Sequence, residues 1–250
     1  MFGDIRNKQG ERLDYTFHQA ANKDGKCIVV IGHGVTGNKD RPFVVALAEA
    51  FAKAGIHALR LSFSGNGASE GKFTESNISK EVEDLGSALD ALANYNVCYV
   101  GHSMGGAVGV LRASKDPRIK MLVSLAGMVH TKDFAAREFG AVKPGEGLMW
   151  DKPDCPLSQA FMDDLNGLDT LKELGAKIKV PWLLVHGVTD DVVPLQDSLD
   201  IYGKGRAEHH LVQLDGADHV FSEGHTQTMV EVVVDWVARR MTPEWCAQAR

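Results

Sequence analysis

The sequence predicts an α/β fold with a mostly parallel central sheet, helices on both faces and a small inserted cap. Short apolar runs alternate with amphipathic stretches along most of the 250 residues, a pattern typical of βαβ units. Residues 127–179 are the exception, because they lack a clean alternation of strand and helix patterns. The length suits one large domain, so residues 1–250 are expected to fold as a single unit.

The first half of the chain contains three predicted strands and two predicted helices. Residues 12–18 are expected to form an antiparallel edge strand, and the apolar run 27–31 forms a buried strand. Pro42 suits the first position of a helix, where its missing N–H is not needed. A strand over 56–63 and a helix over 79–95 follow, and the helix carries an apolar stripe at helical spacing.

The second half continues the same alternation. Residues 97–100 favour a strand and lead into a glycine-rich run that can begin a helix. Further strands are expected at 119–125, 182–186 and 209–214, and Pro194 begins a helix after the second of these. The last helix has an apolar inner face made of Met229, Val232, Val233, Trp236 and Val237.

A glycine–serine turn between a strand and a helix is the most informative motif. Residues 101–105 read Gly-His-Ser-Met-Gly. Gly-x-Ser-x-Gly at such a junction is the nucleophile elbow, which exposes the serine hydroxyl at the end of a sheet. The motif predicts Ser103 as a nucleophile, with an ordinary glycine-rich turn as the alternative.

A serine hydroxyl needs a base, and the base needs an orienting carboxylate. His219 follows the last predicted strand and is the preferred base, with His225 as competitor. Two carboxylates, Asp190 and Asp191, follow the strand before it. Their position relative to Pro194 favours Asp190, because an acid in such a loop usually lies four residues before the proline.

The glycine-rich loop 32–37 is expected to stabilise the oxyanion of the reaction. The backbone N–H groups of Val35 and Met104 are the candidate donors. The same loop also matches Gly-x-Gly-x-x-Gly, the dinucleotide-binding pattern. That alternative is disfavoured because residues 38–41 lie between the loop and the helix that begins at Pro42, and because the following strand contains Arg60 instead of an acidic residue for a ribose.

The stretch 127–179 is expected to form a cap over the active site, because such a long connection in a compact domain is usually functional. A helical excursion packed on the sheet edge is the alternative. Gly34, His102 and Trp150 are the candidates for substrate binding, although shaping the serine turn is the preferred role for His102. The apolar residues of the stretch form either a pocket or its own core: Phe134, Phe139, Met149, Trp150 and Phe161.

Charge and cysteine content disfavour several classes of protein. The net charge is −6 and no basic block stands out, so no nucleic-acid partner is expected. No apolar run approaches membrane-spanning length, and the first residues lack a signal-peptide core, so no membrane partner is expected. The four cysteines lack Cys-x-x-Cys pairs and zinc spacing, which predicts no metal, reduced thiols and a cytoplasmic protein.

Taken together in chain order, these motifs resemble the α/β-hydrolase superfamily. Within it, the segments 33–39 and 67–73 are similar to small bacterial feruloyl (cinnamoyl) esterases. Ser62 and Asn66 depart from that pattern, where an aspartate and a histidine are common. The resemblance implies no cofactor and the roles given above: Ser103 as nucleophile, His219 as base, Asp190 as acid, and Val35 and Met104 as oxyanion donors.

The expected function is therefore hydrolysis of carboxylic esters through an acyl-serine intermediate. A small ester with a feruloyl-type aromatic or short acyl group is the expected substrate. A monoacylglycerol lipase or a thioesterase-like hydrolase is an alternative, and a catalytically silent binding protein with this fold is the alternative from another class. The sequence makes no prediction about the oligomeric state.

Overall fold

A seven-stranded sheet forms the centre of the computed structural model, which describes residues 2–21, 25–204 and 208–247. Within these ranges the strands are β1 Ile5–Arg6, β2 Arg12–Leu13, β3 Tyr15–His18, β4 Cys27–Gly32, β5 His57–Leu61, β6 Asn96–His102, β7 Ile119–Leu125, β8 Trp182–Gly187 and β9 His209–Leu214. The α-helices are α1 Pro42–Lys53, α2 Ile78–Ala91, α3 Met104–Ala113, α4 Thr131–Phe139, α5 Gln159–Leu168, α6 Leu195–Tyr202, α7 His225–Ala238 and α8 Pro243–Ala247. Short 3-10 helices lie at Phe73–Glu75, Met149–Asp151 and Lys172–Lys177.

The strand order of the main sheet is β3-β5-β4-β6-β7-β8-β9. Only β3 runs antiparallel, at the edge beside β5, and the other neighbours are parallel. Because parallel strands end at the same edge, the loops after β4, β6, β8 and β9 meet there. The predicted α/β fold with a mostly parallel sheet is confirmed.

Two hydrophobic layers cover the two faces of the sheet. On β4, Ile28 and Val30 pack into the layer that contains α2 and α3, while Val29 and Ile31 pack into the layer that contains α1 and α7. This follows from the alternation of side chains along a strand. A strand covered on both faces reads as a continuous apolar run, as the sequence of β4 does.

The stretch 127–179 joins β7 to β8 and contains α4 and α5. Its phenylalanines Phe134, Phe139 and Phe161 are buried within the stretch and its contacts with the domain, so they form core. The start of the stretch is fixed by Asp197 on α6, which accepts hydrogen bonds from the backbone N–H groups of Val129 and His130 at 2.7 and 3.0 Å. The sequence left open whether these rings form a substrate pocket or the core of the stretch, and the structure places the three phenylalanines in the core.

The cysteines correct one expectation from the sequence. Cys27 at the start of β4 and Cys246 on α8 form a disulfide with a Cα–Cα distance of 5.3 Å, so the prediction that all thiols are reduced is wrong. Local spacing could not reveal this pair, because 219 residues separate its members. Cys98 and Cys155 are free thiols. Disulfides persist mainly in oxidising compartments, so the cytoplasmic location stays a prediction that this bond counts against.

In the part of the chain that the structure describes, no helix is long and apolar enough to cross a membrane. The same described residues contain no cluster of three or more His, Cys, Asp or Glu side chains that could hold a metal ion.

Two buried carboxylates on α2 lie behind the loop that follows β5. Asp84 accepts hydrogen bonds from the backbone N–H of Ser64 at 2.7 Å and from the amide of Asn7 at 2.9 Å. Glu81 is fully buried and accepts a hydrogen bond from the hydroxyl of Ser76 at 3.2 Å. Burial and then the neighbouring charge of Asp84 raise the pKa of Glu81 well above its usual value.

Replacing Glu81 by glutamine is expected to remove a pH-dependent loss of stability. In the wild type, the folded chain holds the Glu81 proton at pH values where the unfolded chain has released it. The free energy of unfolding therefore falls as the pH rises from the unfolded value, near 4.5, through the raised folded-state pKa. Glutamine does not titrate, so urea unfolding across this pH range should show a smaller fall for E81Q.

Glu83 on the same helix provides a matched control with the opposite sign. Its ion pair with Lys8 lowers its pKa, so the carboxylate stabilises the fold above its usual pKa and loses this effect as the pH falls. Glu83→Gln should lower the free energy of unfolding at neutral pH by up to about 1 kcal/mol. An E81Q profile parallel to that of the wild type would contradict the assignment of a raised pKa to Glu81.

Candidate active site

Ser103 occupies a sharp turn between β6 and α3. Its backbone has φ 54° and ψ −119°, a conformation that residues other than glycine rarely adopt. A side chain at Gly101 would collide with the carbonyl oxygen of Gly105, so the turn closes only with glycine there. The backbone N–H of Ser103 donates to the carbonyl of Leu125 at 2.9 Å, which fixes the turn to the end of β7.

Asp190 and His219 come together from the loops after β8 and β9. The Nδ1 of His219 lies 2.8 Å from Oδ2 of Asp190 and, opposite a carboxylate, carries the proton of this hydrogen bond. The other oxygen of Asp190 accepts the backbone N–H groups of Val192 and Val193 at 2.9 and 2.8 Å. Asp191 points elsewhere and is exposed.

His186 contacts the carboxylate of Asp190. The sequence did not single out this residue as functional. Its side chain is fully buried at the end of β8. Its Nε2 lies 3.2 Å from Oδ2 of Asp190 and 2.9 Å from the carbonyl of Val193, so this nitrogen donates to both. Its Nδ1 then accepts the hydroxyl of Ser198 at 2.7 Å.

These hydrogen bonds decide the charge of Asp190. Burial on its own raises the pKa of this carboxyl group, but hydrogen bonds from His186 and His219, together with the backbone N–H of Val193, outweigh it. The net effect holds the pKa of Asp190 well below its usual range. The group is therefore an ionised acceptor at any pH near neutrality, as an orienting acid must be.

His102 holds the backbone of His219. Its Nε2–H donates to the carbonyl oxygen of His219 at 2.8 Å, and the two rings lie 4.7 Å apart. Burial and the nearby His219 lower the pKa of His102 to about 3, so its ring is neutral. The sequence favoured a role of His102 in shaping the serine turn over a role in substrate binding. Its side chain instead binds the backbone of His219, and it also lines the cavity.

A cavity of about 250 Å³ is lined by most of the predicted site residues, but Asp190 and Met104 are not part of its wall. Its wall is formed by His33, Gly34, Val35, Thr36, Gly37, Arg41, Phe43, His102, Ser103, Trp150, Lys152, Val192, His219 and Val220. Ser103 and His219 share this wall, but within the described ranges no hydrogen bond joins the hydroxyl to the imidazole. Such bonds are often long without substrate and shorten when it binds.

The loop after β4 lies directly against the serine. A side-chain Cβ at Gly34 would lie only 2.7 Å from the Cβ of Ser103, so glycine allows the backbone to approach this serine. The N–H groups of Val35 and Met104 donate no hydrogen bond to other described residues. Two unpaired N–H donors next to a serine turn are what an oxyanion site requires.

His33 fixes the shape of this loop. Its Nε2 accepts the backbone N–H of Phe63 at 3.0 Å, so its Nδ1 carries the proton and donates to the carbonyl of Gly34 at 2.9 Å. Burial lowers the pKa of His33 to about 4, which keeps this tautomer neutral. An uncharged side chain thus ties the loop to the segment that follows β5.

The dinucleotide alternative has no support from this geometry. Gly37 closes a turn onto Gly34, and α1 begins only at Pro42, so no helix N-terminus follows the glycines directly. Arg60 is buried and forms an ion pair with Asp40 at 2.7 Å instead of facing the cavity.

The stretch 127–179 reaches the cavity through two residues. Trp150 contacts Phe139 with tilted rings, whose centroids are 4.9 Å apart, and donates its Nε1–H to Glu138 at 3.0 Å. Lys152 donates to the hydroxyl of Thr36 at 2.9 Å. Trp150 was a sequence candidate, whereas Lys152 was missed because its position depends on the tertiary structure.

Comparison with known proteins gives a family match over half of the chain. The family model described as "Hydrolase_4: Serine aminopeptidase, S33" matches residues 23–147. This segment includes the glycine loop and the serine turn, but it ends before the loops of Asp190 and His219.

Two curated relatives and one solved structure illustrate the similarity. A monoacylglycerol lipase of Mycolicibacterium smegmatis is 26% identical, over 87% of this chain and 90% of that protein. The human mitochondrial palmitoyl-protein thioesterase ABHD10 is 28% identical over 61% of this chain, and the match spans only 54% of the thioesterase. The structure of Est1E from Butyrivibrio proteoclasticus with bound ferulic acid superposes with a TM-score of 0.82, at 24% identity, over 94% of this chain and 98% of Est1E.

Proposed function

Because this chain belongs to the α/β-hydrolase family described as serine aminopeptidase, S33, and is a hydrolase by that membership, we propose that it cleaves small carboxylic esters through an acyl-serine intermediate. The observation that carries the proposal is the hydrogen bond from His219 to Asp190, with His219 and Ser103 lining one cavity. The strained serine turn and two unpaired N–H donors support it further.

The proposed chemistry follows from the hydrogen-bond pattern. Asp190 accepts the Nδ1–H of His219, so the Nε2 of His219 is left as the acceptor for the hydroxyl proton of Ser103. The serine oxygen attacks the ester carbonyl, and the N–H groups of Val35 and Met104 stabilise the resulting oxyanion. His219 then protonates the leaving alcohol and activates water, which releases the acid from the serine.

The size of the cavity supports a small substrate. Its volume of about 250 Å³ lies just below the range of roughly 300–1,000 Å³ that is common for small-molecule sites. Apolar side chains form much of its wall, among them Phe43, Val192 and Val220. A short acyl chain or a single aromatic ring suits this space better than a fatty acyl chain.

We also propose that residues 127–179 act as a cap. Trp150 and Lys152 from this stretch line the cavity. Arg137 on α4 donates to the carbonyl of Val192 at 2.6 Å, which ties the stretch to the loop that carries Asp190.

A second candidate function is the hydrolysis of a lipid monoester or a thioester. It is favoured by the names of the mycobacterial lipase and the human thioesterase, which share a partial match with this chain. The same triad would serve both reactions. The catalytic groups therefore do not distinguish the two candidate functions. The cavity volume and the preferred acyl length do.

A fluorophosphonate label and a series of acyl esters test the proposal. We expect a covalent adduct on Ser103 by mass spectrometry, and the highest kcat/KM for acetyl, butyryl or feruloyl esters. A maximum for long acyl chains or for acyl thioesters would favour the second candidate. If the protein forms no adduct and cleaves no ester, the result would favour a binding protein with this fold.

A further inference from the structure

Two cationic side chains border the cavity next to the oxyanion loop. Arg41, just before α1, donates to the carbonyl of Thr36 at 3.0 Å. Lys152, from the stretch 127–179, donates to the hydroxyl of the same threonine at 2.9 Å. Both line the cavity, and we call this pair the cationic rim. Thr36, which both side chains contact, directly follows Val35, a proposed oxyanion donor.

The cationic rim has no anionic partner. Within the described ranges, neither Arg41 nor Lys152 takes part in an ion pair, and no aspartate or glutamate lines the cavity. Other cations near this loop are paired: Lys39 contacts Asp14 at 3.4 Å, and Arg60 contacts Asp40 at 2.7 Å.

Bringing two like charges together in a partly buried wall is unfavourable. Burial and then the charge of Arg41 lower the pKa of Lys152. The chain as a whole carries a net charge of −6, so excess positive charge elsewhere does not explain the rim. An anion between the two side chains would relieve their repulsion, and a partly desolvated site would make its hydrogen bonds stronger than in water.

We propose that the substrate is an ester that carries a carboxylate, and that Arg41 and Lys152 bind this group while Ser103 attacks the ester carbonyl. The inference rests on the proposed esterase function and adds the substrate class. Lys152 also lies 5.5 Å from the ring centroid of Trp150, so an apolar or aromatic part of the substrate can contact the indole beside the charge. The rim is thus a specificity site built from the loop before α1 and from the cap.

A purely structural role of the two cations is the competing explanation. Lys152 would then serve only to hold the stretch 127–179 against Thr36. In that case the charge of the substrate would not affect its binding, and substitutions of the rim would affect charged and neutral esters equally. The two explanations therefore differ in the ratio of kcat/KM between matched esters.

The test compares esters with and without a carboxylate. The nitrophenyl monoester of glutaric acid is paired with nitrophenyl valerate, which places the charge on the acyl side. Acetoxybenzoate is paired with acetoxybenzamide, which places it on the alcohol side. We expect kcat/KM to be at least about tenfold higher for the charged member of one pair, and we expect this preference to fall as salt is added. Equal values in both pairs would overturn the inference.

Variants identify the residues responsible. Lys152→Met and Arg41→Met should each reduce the charged-to-neutral ratio toward one, mainly through KM, whereas Lys152→Arg should keep most of it. Lys143→Met, an exposed lysine of the same stretch that pairs with Glu146, is the matched control and should leave the ratio unchanged. An unchanged ratio in both rim variants would assign the preference to other residues and overturn the inference.

A binding measurement separates this inference from the proposed function. Calorimetry with the folded Ser103→Ala variant compares the Kd of glutarate monoester with that of the valerate ester, without turnover. Equal Kd values, together with hydrolysis of neutral esters by the wild-type protein, would overturn the inference and leave the esterase proposal intact. Tighter binding of the charged ester without hydrolysis by the wild type would support the rim and overturn the esterase proposal.

Discussion

Replacing Ser103 by alanine is expected to lower kcat for nitrophenyl butyrate by about a thousandfold or more. The hydroxyl is the proposed nucleophile, so its loss removes the acyl-enzyme route, while the oxyanion donors and the binding site stay in place. The serine hydroxyl forms no hydrogen bond to other residues that the structure describes. The variant should therefore unfold within a few degrees of the wild type in a thermal scan, and any loss of activity then reports chemistry.

Ser114 at the end of α3 is the matched control for this substitution. Its hydroxyl donates to the carbonyl of Leu111 at 2.9 Å, and the residue lies outside the cavity wall. Ser114→Ala should keep wild-type kcat and KM. A wild-type rate in Ser103→Ala would mean that another group attacks the ester, and the proposed mechanism would be wrong.

The order of strands and helices was predictable because each element has a local signal. The strands 119–125 and 209–214 were predicted with the bounds that the structure has. The helix predicted over 79–95 ends at Ala91, because Leu92 caps it and its backbone turns toward β6. The short helix α8 was not predicted, since five residues carry too little periodicity.

The residues of the site also divide into those with a local signal in the sequence and those whose contacts depend on the tertiary structure. Ser103, Asp190 and His219 lie on loops after strands, so the fold predicted from the sequence already assigns them to one edge of the sheet. His186 looked like an ordinary strand residue, because its link to Asp190 depends on how the following loop turns back. Arg41 and Lys152 are 111 positions apart and meet only through Thr36. A signal did exist for His186, since it lies at the end of a parallel strand, next to the loop that carries Asp190.

Replacing Asp190 by asparagine is expected to lower kcat by about 10⁴-fold, although the side chain keeps its shape. The carboxylate accepts ring N–H groups at one oxygen and the N–H groups of Val192 and Val193 at the other. The NH₂ of asparagine must face one of these sets of donors. If it faces the rings, His219 moves its proton to Nε2 and can no longer accept one from Ser103. If it faces the backbone, two buried N–H groups lose their acceptor and the loop is destabilised.

Asp191→Asn separates this effect from a general effect of charge, because it removes the same charge from the neighbouring position. Asp191 is exposed and makes no hydrogen bond or ion pair with other described residues, so its variant should keep kcat within about twofold. Steady-state kinetics on nitrophenyl butyrate, with thermal unfolding as a check on folding, compares the two. If Asp191→Asn lost the activity and Asp190→Asn kept it, the orienting acid would be Asp191, and the hydrogen bonds around Asp190 would serve the loop alone.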